Sequence, residues 1–230
     1  RFVSNKRLYA RTQLTASFAL LKETQEVDAI EENTVKCHFD PRDTIYDVAE
    51  RVNNAIAQNR REEADNATLK VAKLLLRPAL ANTVVFLARA LDRYGVLPKY
   101  IMEASPFHTS LFITHMGSIG MPAVNHHIYN FGTTSLFLSL GSVERQTVIG
   151  SDGKAARKRY LPIGITADER ICAGAMYARM VNRMMHYLNN PELLEAPPET
   201  VRFEEGNAYG LAATKVSRRL RKKQQQTLAG

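Results

Sequence analysis

LPIGITADERICAGAMYARMVNRMMHYLNNPELL, residues 161–194, changes its periodicity halfway along. Leu161, Ile163 and Ile165 alternate with Pro162, Gly164 and Thr166, the period of a strand with one buried face. From Ile171 onward the apolar residues step by three and four, so Ile171, Ala175, Ala178, Val181, Met184, Met185 and Leu188 share one side of a helix. Asn189–Asn190–Pro191 ends that helix, because two poor helix formers meet a proline that cannot continue the ladder. Asp168, Glu169 and Arg170 stand at the junction. Read alone, they are helix-start charges, the acids being favoured there by the helix dipole. The whole stretch predicts an α+β two-layer domain: a largely β core with helices over 43–61, 66–94 and 171–189 packed against it.

Upstream, alternating runs at Lys6–Ala10, Thr15–Leu21 and Thr34–Phe39 read as strands. Asp43 or Thr44 caps a helix to about Arg61 whose apolar face is Ile45, Val48, Ala49, Val52, Ala55 and Ile56. Asn66 caps a helix over Leu69–Leu76, and Gly95 stops another that runs from Ala79 to about Tyr94. Thr109–Met116 and Leu136–Leu140 read as strands, and Ser151–Asp152–Gly153–Lys154 as a hairpin turn. His126 and His127, taken as neighbours on a strand, point to opposite faces and make poor chelate partners for one metal.

The composition, 45% hydrophobic and 23% charged over 230 residues, is that of a soluble globular protein. Cys37 and Cys172 have neither disulfide-framework nor metal spacing, which fits a reducing cytoplasm. No run is apolar enough to span a membrane. Of the net charge of +8, six positive charges lie within 215–223, so the remainder is nearly neutral. The expected division is a domain over 1–196 and a basic, mobile tail over 197–230. Residues 211–226 read either as a polar helix or as disorder, and the tail is expected to be dispensable for folding. It suits an acidic partner better than nucleic acid, because no aromatic interleaves its arginines. There is no Walker loop, dinucleotide fingerprint or metal-ligand cluster.

The pattern strand–D-x-R-x-x-x-G-A–amphipathic helix–N-P-E-L-L resembles the C-terminal motif of the catalytic domain of 2-oxo acid dehydrogenase acyltransferases. That domain is shared, more distantly, with chloramphenicol acetyltransferase. The family motif usually reads D-H-R-x-x-D-G-A. Asp168, Arg170, Gly174 and Ala175 match it, while Glu169 stands in the His position and Ala173 in the second Asp position. The resemblance implies a chloramphenicol acetyltransferase-like mixed sheet covered by helices, assembled as a homotrimer. It implies coenzyme A or acyl-CoA as substrate, with no metal and no lipoyl group in this chain. It also implies a base at position 169, Asp168 and Arg170 as supporting residues, and a Gly174 that lets the helix start close to the sheet. FITHMGSIG, residues 112–120, resembles the family segment whose Ser or Thr faces the neighbouring subunit's site and donates to the tetrahedral oxyanion. Thr114 takes that place; read alone, it is a β-branched strand residue. Stand-alone bacterial relatives are the nearest in pattern, and about the first third of the family domain is expected to be absent.

The motif departure decides the chemistry. A thiol of pKa about 8.5 must give up its proton; a histidine near 6.5 falls about two units short and a glutamate near 4.3 about four. The extra two units cost about 3 kcal/mol of proton-transfer free energy. Two functions stay open: an acyltransferase, weakly active or inactive, with Glu169 as base, or a non-catalytic trimeric scaffold or binding module.

Overall fold

The structure, a computed structural model, describes residues 1–21, 32–61 and 78–201. The expected helix over 66–76 and residues 202–230 of the expected basic tail lie outside the described residues.

Phe2–Ser4 (β1) and Arg7–Tyr9 (β2) pair antiparallel, Ser4 opposite Arg7, around Asn5 and Lys6 at φ 45° and 60°. Two positive-φ residues closing a two-residue loop are the arrangement that matches strand twist. The sequence hid it, because Asn-Lys lacks the usual glycine; Lys6, expected in a strand, is in the turn.

The main sheet is mixed and, among the described residues, five-stranded. Leu14–Leu21 (β3) runs antiparallel to Glu32–Phe39 (β4) and parallel to Leu111–His115 (β5). Leu136–Leu140 (β6) is parallel to β5 and antiparallel to Ile163–Ala167 (β9). The strand that opens the quoted stretch is therefore an edge strand, paired to β6 along its length. Glu144–Ile149 (β7) and Ala155–Tyr160 (β8) form a separate exposed hairpin, turned at Gly153 (φ 74°) as its composition predicts.

Ile45–Arg61 (α1) packs on β4. Thr44 begins it: its Oγ1 accepts from the Asp47 N–H at 3.3 Å while the Asp47 carboxylate accepts from the Thr44 N–H at 2.8 Å, a reciprocal cap. Val48, Val52, Ala55 and Ile56 are its half-buried face, as expected, but Ile45 and Ala49 are exposed. Pro78–Arg93 (α2) ends before Gly95 (φ 68°), and Lys99–Ala104 (α3) follows.

Gly174–Asn189 (α4) corrects the expected 171–189 helix. Glu169–Ile171 is a 3-10 turn, and Cys172 then extends at φ −158°, so a continuous helix cannot begin before Gly174. Its inner face is Tyr177, Met180, Val181, Met184 and Tyr187, all half-buried. Ala175, Ala178, Met185 and Leu188, expected inside, are exposed.

One sheet face carries an aromatic stack: Phe112 on Phe137 at 5.2 Å, and Phe137 on His126 at 4.3 Å. The segments crossing this face are tied down by buried hydroxyls. Ser17 Oγ donates to Pro106 O at 2.9 Å, and Ser139 Oγ both donates to Val124 O (2.6 Å) and accepts from Val124 N–H (2.8 Å). Each bond satisfies groups that burial would otherwise leave unpaired.

Candidate functional site

The candidate motif begins where β9 ends. The Asp168 N–H donates to Ser135 O at 3.0 Å, adding one bond beyond the strand pairing. Asp168 then caps the 3-10 turn, its Oδ1 accepting from the Arg170 N–H at 3.0 Å. The Arg170 side chain closes on the same carboxylate, Nε to Oδ1 at 2.8 Å and Nη2 to Oδ2 at 2.7 Å. Arg1 braces the turn from outside by donating to Ile171 O at 3.3 Å.

The Arg170 hydrogen bonds hold the Asp168 carboxyl below its ordinary range, against the opposing effect of partial burial. A carboxylate committed to a fork of this kind is a positioning group rather than a base. Its lowered pKa contributes stability above the unfolded value of about 3.9, and the contribution is lost as pH falls through the folded value. The Arg170 side chain is 69% exposed, so the pair is worth less than about 1 kcal/mol. Arg170→Met is expected to lower the urea midpoint slightly at about pH 7, and by progressively less as pH falls below about 3.9 and the carboxyl takes up its proton. Paired denaturation curves check this.

The turn sends its residues to different clefts. Glu169 is exposed and lines a cleft of about 490 Å³ with Ile165, Ala167, Cys172, Gly174 and Tyr177. Asp168 and Arg170 line another, of about 600 Å³, with His127, Asn130, Lys6 and Arg93. Thr114 borders neither. It lies on β5 in the cross-strand row Thr114–Ser139–Gly164, and its Oγ1 is 3.8 Å from Met116 Sδ. Within one chain, therefore, Glu169 and Thr114 are not brought together. Among the described residues, a Cβ on Gly174 would meet no atom within 4 Å.

The histidine pair is also placed differently from the expectation. Residues 121–129 form no strand, and the His126 and His127 rings stack on each other at 4.8 Å instead of facing apart. His126 Nδ1 sits 2.7 Å from His127 O. Among the described residues no group of three or more His, Cys, Asp or Glu side chains is arranged to hold a metal.

Sequence reading missed two features. His127 shares the larger cleft with Asp168 and Arg170. His108 is buried between Asp92 Oδ1, 2.9 Å from Nε2, and Ser105 Oγ, 2.8 Å from Nδ1, while Asp92 Oδ2 accepts from the Gly132 N–H at 3.1 Å. With a side-chain exposure of 3%, His108 ties the last turn of α2 to the loop that carries Ser105. Only the pairing of residues 92 and 108 in space reveals it; no local spacing does.

A mixed sheet backed by helices, with a D-E-R turn at the end of an edge strand, defines an α+β domain with a candidate acid-bearing cleft. Residues 107–196 match the model of the 2-oxoacid dehydrogenases acyltransferase family (catalytic domain), so the resemblance carried by the motif holds over that segment. Among solved structures, the chain is similar to a dihydrolipoamide acetyltransferase of Azotobacter vinelandii, at 15% identity and a TM-score of 0.43, over 80% of this chain and 57% of that one. It is similar to the cubic core of the pyruvate dehydrogenase multienzyme complex at 16% identity and TM-score 0.40, over 80% and 57%. It is also similar to a probable dihydrolipoamide acetyltransferase from Listeria monocytogenes at 14% and 0.42, over 84% and 61%. The chain thus spans less than two thirds of the length of these structures. A search of curated proteins found no match.

Proposed function

We propose that this chain is part of a coenzyme A-dependent acyltransferase of the 2-oxo acid dehydrogenase type whose catalytic motif is degenerate, leaving it weakly active or inactive. The observation that carries the reading is the match over 107–196, which includes both Thr114 and the 168–174 motif, with an exposed glutamate in place of the family's histidine. In this reading the domain occupies 1–196 and works as a cytoplasmic homotrimer, with Thr114 of a neighbouring subunit as the oxyanion donor beside Glu169. The acyl group passes between coenzyme A and a thiol or other acceptor, and the basic tail contacts an acidic partner. Among the described residues no helix is long and apolar enough to cross a membrane.

The second reading, a non-catalytic trimeric scaffold or binding module, is favoured by the exposure of Glu169, since a solvated carboxylate is a poor base for a thiol. Turnover separates a weakly active enzyme from the scaffold. With acetyl-CoA and dihydrolipoamide, the full-length protein is expected to show weak transfer that Glu169→Gln abolishes and that Glu169→His with Ala173→Asp raises. Absence of transfer from all three supports the scaffold. Light scattering checks the trimer, and a clean monomer at micromolar concentration rejects it.

A further inference from the structure

The hairpin of β7 and β8 is a two-stranded sheet of its own, and every residue of its strands except Val148 is exposed. Its register sets Arg145 opposite Arg159 and Thr147 opposite Arg157. Residues two apart on a strand share a face, so Arg145, Arg157 and Arg159 stand on one side with Thr147, Ile149 and Ala155. Glu144, the only carboxylate in the two strands, falls on the other side with Gln146, Lys158 and Tyr160. Among the described residues none of the three arginines has a carboxylate partner. Like charges directly opposite across an antiparallel pair are destabilising, and an exposed two-stranded hairpin is at best marginally stable by itself. The face therefore carries guanidiniums about 6.8 Å apart along β8, twice the rise per residue, without a counter-charge.

The rest of the hairpin narrows what complements that face. Among the described residues the outer edges of β7 and β8 are unpaired, so backbone donors and acceptors are free to take a third strand. A second copy of the same hairpin would set arginine against arginine. Nucleic-acid bases would find no aromatic ring to stack on, because Tyr160 lies on the other face. We infer that this hairpin binds an extended acidic segment of a partner protein, with carboxylates at alternate positions, which adds to a free edge as a strand. Alternate spacing brings all of its acids to the arginine face, where guanidinium and carboxylate can pair through two parallel hydrogen bonds. Ile149, 72% exposed, supplies an apolar contact at the end of that face. The inference is independent of the acyl-transfer reading, since no residue of the 168–174 motif lies in the hairpin.

The test uses the full-length protein and two labelled peptides of equal composition, one alternating glutamate with threonine and one with its glutamates in a single block. Fluorescence anisotropy at about 50 mM salt, where screening is weak, reads their binding. The alternating peptide is expected to bind about tenfold or more tightly than the block peptide, which turns half of its charges away from the arginines. Arg157→Glu with Arg159→Glu is expected to remove that advantage. On the unmodified protein, the alternating peptide is also expected to slow amide hydrogen exchange along 144–149 or 155–160, whichever edge it pairs with; this arm decides if the variant fails to fold. Equal affinity for the two peptides, unchanged exchange in both strands, or duplex DNA bound as tightly as the alternating peptide overturns the inference.

Discussion

Gly132→Ala is expected to destabilise the fold by about 4 kcal/mol, near the upper end for a single substitution. Gly132 has φ 90°, where an L side chain is strained by about 1–3 kcal/mol. A Cβ there would also lie 2.3 Å from Phe107 O and 2.7 Å from Phe107 C. Those are backbone atoms and cannot swing aside. Phe107 O is itself fixed as the acceptor for Thr133 N–H at 2.9 Å, Thr134 N–H at 3.1 Å and Thr134 Oγ1 at 2.8 Å. Relieving the clash therefore disturbs three hydrogen bonds, adding an overpacking cost of about 1–3 kcal/mol. Gly153→Ala is the control: φ is 74°, but a Cβ there meets nothing within 4 Å, so only the left-handed strain of about 1–2 kcal/mol remains. Urea unfolding of both variants measures the difference; equal losses would show that the contact with Phe107 is not the cause.

Asp92→Ala is expected to cost about 2–5 kcal/mol, because it leaves two donors in a buried setting unsatisfied, at about 1–3 kcal/mol each. The change leaves His108 Nε2 and the Gly132 N–H without the acceptor they share. Water cannot readily replace it, because His108 is 7% exposed. Asp92→Asn retains an acceptor and is expected to lose less. In a double-mutant cycle, His108→Ala in the Asp92→Ala background should add much less than it does alone, because the contact is already gone. Additive losses would mean that the two residues stabilise separate regions.

Much of the fold was legible from local pattern. The alternation in 161–166 and 15–21 located strands because a half-buried strand must alternate its side chains, and the near-continuous apolar run 136–140 located another. Asp43 or Thr44 as a cap located the start of α1 to within a residue, since a helix begins where a side chain can satisfy its free N–H groups. Less legible was the start of α4. Apolar spacing continues back to Ile171, but backbone at Cys172 is extended, and period alone does not register one residue leaving the helical region. The candidate site was partly legible. D-E-R is evident in the sequence, but a 3-10 turn presents successive residues about a third of a rotation apart, which is consistent with the separation of Glu169 from Asp168 and Arg170.

By itself the sequence determined the family resemblance over the segment that the family model matches, and the chemical departure at its centre: a glutamate where a histidine is usual, with no second aspartate. Those are facts of covalent identity and local order, which need no folding to be read. The tertiary structure decided that Asp168 is held by Arg170, that Glu169 is exposed, and that His108 is sealed between Asp92 and Ser105. It also decided that Arg11 meets Thr133 and Ser135, residues over a hundred positions away in the chain. The physical reason is that burial and electrostatic environment are set by groups from distant segments converging on one place. Local periodicity reports which face of an element is apolar, not which charge will find itself enclosed, or with whom.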